Sequence, residues 1–430
     1  MSKAIVIDDL RAPRLSEAQK GALAYGDANP VVLSEQAVLE HARRRTGLAD
    51  FGPDDFRERL NLLLDEWNAD TDLTNLARLS LYGYATRYAA NRLLIHDTLK
   101  RHPEIHDEQI DRPLIIAGLP RSGTTHLVNL IAADSRLQSL PLWESYEPVP
   151  MPGEPMGPDG TDPRYARSAA AWAQSQATVP LIAAMHPMEP DHIHEELELM
   201  GADFASYIFE WVSYVPRWRD HYYATDQTPH YEYLKTVLKL LQWWRGAKRW
   251  VLKCPQHLEQ LPVLKSVFPD ATLAITHRDP VAVIQSAITM QAYSSRLQRK
   301  SVDTTRLLHY WSDRVDHLLR ACVKDRAIWP ESQSIDVPFG AFMADDVAMV
   351  ETIMRKADLP LTNTAKAEIA AYMQAHPRGK EGRIIYNLER DFGVSAEDLR
   401  KRFQFYLDAF PVTAEGAPTP VSQPAAQPAA

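Results

Sequence analysis

The residues best suited to chemistry lie at 114–126, LIIAGLPRSGTTH, where an apolar run ends in a glycine-framed loop. Gly118 and Gly123 have the spacing of a loop whose backbone N–H groups wrap a phosphate. Ser122, Thr124 and Thr125 add hydroxyls, and Arg121 adds a planar fork of donors that fits a tetrahedral oxyanion. An ATP-binding loop needs lysine and then Ser or Thr after its second glycine; Thr124 and Thr125 stand there instead. The loop therefore predicts an anion site for a nucleotide other than ATP.

A second anion site is suggested by THRDPVAVIQSAIT at 276–289. Arg278 falls just after an expected strand, and Ser286 lies two turns into the next helix. An arginine and a hydroxyl converging on one group suit a phosphate monoester, although an arginine after a strand is commonly a surface ion pair. A third cluster, MHPMEPDHIHEELELM at 185–200, holds His186, His192 and His194 with Glu195 and Glu196. Its spacing is not that of a His-Glu-x-x-His zinc helix and no cysteine is near, so no metal is expected. Hydrogen-bonded histidines or contacts to an acceptor are the readings left.

The elements that position these residues follow from periodicity. Leu114–Ala117, 249–252, 272–276 and 334–337 are short apolar strands, each followed by a helical pattern. That alternation predicts an α/β domain with a parallel sheet, whose sites lie at the carboxyl ends of the strands. The helix after the loop should run from Thr124 to about Ala133, so its N-terminal N–H groups and dipole face the bound anion. Residues 31–102 read as three helices, the first capped by Ser34 and stopped by Gly47. Residues 148–163, with six prolines and three glycines, form a loop, and the helical stretch at about 161–247 is an insertion able to cover a site. Its aromatic series, Trp211, Tyr214, Trp218, Tyr222, Tyr223, Tyr231 and Tyr233, reads as packing, with some members free to face an apolar acceptor. The expected division is an N-terminal helical segment at 1–110, the α/β domain at 111–410, and a disordered Pro/Ala tail at 411–430.

Composition narrows the function classes. The 430 residues carry a net charge of −9, which argues against a nucleic-acid binder. Within that acidic chain, residues 245–300 hold nine Lys or Arg against three acids, a local excess suited to an anionic ligand. Two cysteines exclude a disulfide framework. The N-terminus lacks the features of a signal peptide and no run is apolar enough to span a bilayer, so a cytoplasmic location is expected.

PRSGTTH at 120–126, HRDPVAVIQS at 277–286 and HPRGKEGR at 376–383 occur in that order, and together they resemble PAPS-dependent sulfotransferases, in the bacterial branch that is also similar to tyrosylprotein sulfotransferases. The resemblance spans about residues 30–410. It implies a P-loop-like three-layer fold and 3′-phosphoadenosine 5′-phosphosulfate (PAPS) as sulfuryl donor, with no metal. It further implies that Arg121, Ser122, Gly123, Thr124 and Thr125 hold the 5′-phosphosulfate. Arg278 and Ser286 would hold the 3′-phosphate, and Arg378, Gly379 and Lys380 would close over it. His126 occupies the position of an adenine-stacking tryptophan in cytosolic members. Lys253 matches a lysine that contacts the bridging oxygen, and Glu144 matches, within a residue or two, the glutamate base, with Glu147 and His257 in reserve. Cys254 replaces the usual serine.

The activity this implies is transfer of a sulfuryl group to a hydroxyl of a small-molecule or glycan acceptor, leaving adenosine 3′,5′-bisphosphate. The rivals are a nucleotide kinase or NTPase and a non-catalytic nucleotide-binding protein. Neither the acceptor nor the oligomeric state is legible in the sequence.

Overall fold

The computed structural model describes residues 3–415. Its centre is a five-stranded parallel sheet in the order β3-β4-β2-β5-β6. The strands are β2 (Leu114–Gly118), β3 (Leu137–Gln138), β4 (Arg249–Lys253), β5 (Thr272–His277) and β6 (Ser334–Pro338). A further strand near the N-terminus, β1 (Ala4–Val6), pairs in parallel with β7 (Arg383–Ile385). The four longer sheet strands coincide with the expected ones, each extended by one residue. β1, β3 and β7 are only two or three residues long and carry too little pattern to be read.

Alternation along β2 shows why the fold has three layers. Ile115 and Ala117 point into a core shared with the helices that follow β5. Leu114 and Ile116 point to the opposite face, against Leu127, Leu130 and Ile131 of the helix after the loop. All five β2 residues are buried, the pattern of a strand covered on both sides.

The N-terminal segment contributes four helices: α1 (Glu17–Ala28), α2 (Glu35–Thr46), α3 (Phe56–Ala69) and α4 (Asn75–Arg101). Ser34 caps α2 by accepting from the Ala37 N–H, and Gly47 ends it in the left-handed region at φ 71°. Helix α1, capped by Ser16 with a reciprocal Gln19 bond, was not foreseen. Helices α2, α3 and α4 share a second core with the insertion, in which Phe204, Phe209 and Trp218 pack against Phe56, Trp67 and Tyr88. At 27 residues, α4 is about 40 Å long and reaches from this second core to the main one through Leu94 and Ile95.

The expected tail at 411–430 begins too early. Val412 packs against the main core and Glu415 forms an ion pair described below; residues 416–430 lie outside the described residues. Among the described residues no helix is long and apolar enough to cross a membrane.

Candidate active site

The loop between β2 and α5 (Thr124–Ala132) is built by close approach. A side chain at Gly118 would put its Cβ 2.0 Å from Thr276 Oγ1, and Gly123 sits at φ 85°, a left-handed conformation that favours glycine. As N-cap, Gly123 offers no side-chain acceptor to the first-turn N–H groups of α5. Those donors stay free for an anion. Arg121, also left-handed at φ 67°, aims its guanidinium across the loop, where Nε donates to Ser286 Oγ at 3.0 Å. Burial pulls the pKa of this guanidinium below its ordinary value, so a bound anion would relieve a desolvated charge. Ser122 departs from expectation. Its hydroxyl donates to the Leu119 carbonyl at 2.5 Å and shares a hydrogen bond with Thr276 Oγ1, so the side chain braces the loop from inside.

The two strands flanking β2 deliver the remaining charges. At the end of β4, Lys253 is fully buried. Its Nζ donates to Thr125 Oγ1 at 3.1 Å and to the Glu195 carboxylate. The Lys253 N–H is held by both oxygens of Glu196, at 2.8 and 3.1 Å. His257 lies behind, with Nε2 3.3 Å from Glu196 and Nδ1 2.9 Å from the Tyr231 hydroxyl. The potential ligand atoms of Glu196, Cys254 and His257 lie within 4.8 Å of one another, but the Glu196 oxygens already accept from the Lys253 N–H and His257 Nδ1 is bonded to the Tyr231 hydroxyl. Burial raises the pKa of the Cys254 thiol well above its ordinary value, which keeps it a neutral packing group.

Just past β5, Arg278 donates through Nη1 to the Arg121 carbonyl and stacks 4.1 Å from the Phe339 ring centre. The two predicted anion sites therefore share one cleft. Ser286 sits between them, with its hydroxyl 3.0 Å from that of Tyr386. Tyr386 follows β7 directly, and its role had no local signal in the sequence. Arg378 packs beside α5, pairing with Asp346 and donating to the Met343 carbonyl. Gly379 and Lys380 lie in an exposed turn. His126 Nε2 is 3.0 Å from Asp346 Oδ2, which ties the ring to the Arg378 side and away from the cavity.

Beside the loop opens a cavity of about 210 Å³. Arg121, Thr124 and Thr125 form one wall; Tyr146, Ile208, Trp211 and Met290 contribute apolar surface; His186, His194 and Glu195 lie among its polar lining. Burial first, then the charges of Arg121 and Lys253, hold the His186 pKa down at about 3. His194 is held well below its ordinary value by burial and by neighbouring His186 and Lys253. Both are neutral imidazoles.

Glu144, expected as the base, does not line this cavity. It accepts from Arg245 Nη1 at 2.9 Å, and burial raises its pKa. Its rival Glu147 is clamped by Arg167 and Arg45. The short helix Leu142–Tyr146 turns Tyr146 toward the cavity and Glu144 away from it. Of the nine basic residues at 245–300, only Lys253 and Arg278 meet the site. Arg296 and Arg299, for example, are tied to Asp9, Asp70 and Asp72, so most of that charge is structural.

The family model described as "Sulfotransferase family" matches residues 113–363, the stretch that carries the loop, Lys253 and Arg278. Among solved structures, sulfotransferase STF9 from Mycobacterium avium is 27% identical with a TM-score of 0.79, over 90% of this chain and 98% of that one. Sulfotransferase STF1 from Mycobacterium tuberculosis H37Rv is 28% identical with a TM-score of 0.75, over 86% of this chain and 98% of that one. No curated protein sequence matches the chain. With more than half of its length matched by one family and its loop built for an anion, the chain belongs to the sulfotransferase family.

Proposed function

We propose that the chain moves a sulfuryl group from PAPS to a hydroxyl of an acceptor in the cavity, giving a sulfate ester and adenosine 3′,5′-bisphosphate. The observation that carries this reading is that the anion loop and the carboxylate of Glu195 line one cavity, with buried Lys253 bonded to Thr125 and Glu195 just behind that wall. The residues present fit the donor. The free N–H groups of α5 and the Gly118 approach form a cradle for the 5′ end, and Arg278 offers a second fork for a 3′-phosphate, a group ATP lacks. Bound there, PAPS supplies an electrophilic sulfuryl group and a phosphate leaving group.

The chain's own residues then have separable tasks. Arg121, the α5 amides and Thr125 bind and orient the anion. The Lys253 ammonium, bonded to Thr125 and Glu195 while Glu196 holds its main chain, places a positive charge where the leaving oxygen would become negative. Glu195 takes the proton of the acceptor hydroxyl, a role that replaces Glu144 because Glu195 lines the cavity beside Lys253 and Glu144 does not. Neutral His186 and His194 add polar contacts without adding charge. The apolar walls suit a small apolar alcohol or phenol better than a glycan, and they exclude water from the sulfuryl group.

A kinase reading finds no support, since Thr124 stands where the phosphate-binding lysine is needed. The test is calorimetric titration with adenosine 3′,5′-bisphosphate and with ATP–Mg, paired with labelled transfer from PAPS to a panel of phenols and apolar alcohols. Preference for the bisphosphate together with transfer supports the proposal. Preference for ATP overturns the donor assignment.

A further inference from the structure

Among the arginines that grip a carboxylate through two guanidinium nitrogens, Arg314 and Arg278 do so in different settings. Arg314 grips Glu259 through Nη1 and Nη2, each at 2.6 Å, and Glu210 through Nε at 2.8 Å; all three side chains are at most 1% exposed. That cluster is part of the core. Arg278 grips Glu415 through Nε at 2.6 Å and Nη2 at 2.8 Å, but here the arginine is 20% exposed and the glutamate 38%. Such a pair can exchange with solvent or with another anion.

The segment carrying Glu415 is delivered to this place by specific contacts. Phe410 stacks on His277, the residue before Arg278, with ring centres 4.1 Å apart. The Glu415 N–H donates to Asp279 Oδ2 at 2.8 Å, and its carbonyl accepts from Arg400 Nη2 at 3.2 Å. Arg400 also bonds Asp279 Oδ2 at 2.8 Å, so the main chain of residue 415 is clamped beside the guanidinium its side chain occupies.

We infer that Glu415 is an internal stand-in for the donor's 3′-phosphate, so that the C-terminal segment must release Arg278 before the nucleotide binds fully. The inference rests on the reading of Arg278 as the 3′-phosphate site. The chemistry matches on both sides: two carboxylate oxygens satisfy the same two N–H directions that two phosphate oxygens would use. A phosphate dianion carries more charge and displaces the carboxylate, while the exposed glutamate returns to water at small cost. The contact thus sets a threshold for donor binding and keeps Arg278 paired when no donor is present. Apparent affinity falls in proportion to the fraction of molecules whose site is free.

The test is calorimetry on the full chain, comparing wild type, Glu415→Ala and Arg278→Ala with adenosine 3′,5′-bisphosphate and with adenosine 5′-monophosphate. If the pair is formed about nine-tenths of the time, Glu415→Ala binds the bisphosphate about tenfold tighter and the monophosphate unchanged. Wild type is expected to prefer the bisphosphate, and Arg278→Ala to lose that preference. Unchanged or weaker bisphosphate binding by Glu415→Ala, with the Arg278-dependent preference intact, overturns the role of the tail and leaves the donor reading standing. Equal tightening toward both nucleotides overturns it as well. If the preference is absent, or survives Arg278→Ala, the donor reading falls and the inference falls with it.

Discussion

The two halves of the site are built by different means. The anion half comes from the ends of three adjacent strands: the loop after β2, Lys253 at the end of β4, and Arg278 just after β5. Parallel register sets these residues side by side, with Ile116 opposite Lys253 and Gly118 opposite Thr276. The acceptor half comes from Tyr84 on α4, from Tyr146, and from the helical insertion with Ile182, Ile208 and Trp211. Nothing regular relates those positions. A bound anion needs fixed donors, and sheet geometry supplies them. An apolar pocket needs only shape, which packing between distant helices can supply in many ways.

The sharpest way to break this division is at the point where the halves meet, the Lys253–Glu195 pair. Glu195→Gln should lower turnover by about two orders of magnitude or more, with bisphosphate affinity little changed, since the loop and Arg278 are untouched. Glu144→Gln should keep turnover close to wild type, because Glu144 pairs with Arg245 outside the cavity. Initial rates of labelled transfer, measured across pH, separate the two. A proton acceptor leaves its mark as a lost acidic limb in the rate profile, which a merely structural change would not remove. If Glu144→Gln is the slow variant and Glu195→Gln is not, the base belongs with the helix at 142–146 and the assignment is reversed.

The same division explains what could be read before the structure. The glycine loop, Arg278 and Lys253 lie within a few residues of apolar strands, so pattern and chemistry coincide locally. Ser122 misled because a hydroxyl beside Gly123 looks like an anion donor, whereas its partner Thr276 arrives from another strand. Glu144 misled because one turn of a five-residue helix decides which of Glu144 and Tyr146 faces the cavity. Tyr386 and Glu415 reach the cleft through pairing of β7 with β1 and through the stacking of Phe410 on His277. Contacts between residues more than a hundred positions apart leave no local spacing to detect.

A second prediction concerns the histidines on the acceptor side. His186 and His192 have pKa values pushed down to about 3 and about 4, and His194 is held well below its ordinary value, in each case chiefly by burial. A histidine that stays neutral when folded but protonates when unfolded favours the unfolded state as pH falls. Its stabilisation is therefore full above about pH 6.5 and is lost below it, by up to about 1.4 kcal/mol per pH unit for each group. For His186 the window runs down to about pH 3. Urea unfolding midpoints between pH 7.5 and 5.5, chosen to straddle the ordinary imidazole value of about 6.5, should fall in wild type and fall less steeply in His194→Gln. Equal slopes in the two proteins would mean that His194 takes up a proton as readily folded as unfolded.

The smallest expected effect tests whether the donor half extends past the strand ends. Tyr386 shares a hydrogen bond with Ser286, which accepts from Arg121, and its hydroxyl also lies against the Arg121 guanidinium, so it acts on the anion through those two groups. Tyr386→Phe removes a neutral hydrogen bond worth about 1 kcal/mol while keeping the ring. The expected result is a roughly fivefold rise in KM for the donor, with kcat and the acceptor KM unchanged. A change in acceptor KM instead would place Tyr386 on the apolar side of the cleft. In that case β7 serves both halves, and the boundary between fixed donors and adaptable packing lies closer to Ser286 than the strand ends suggest.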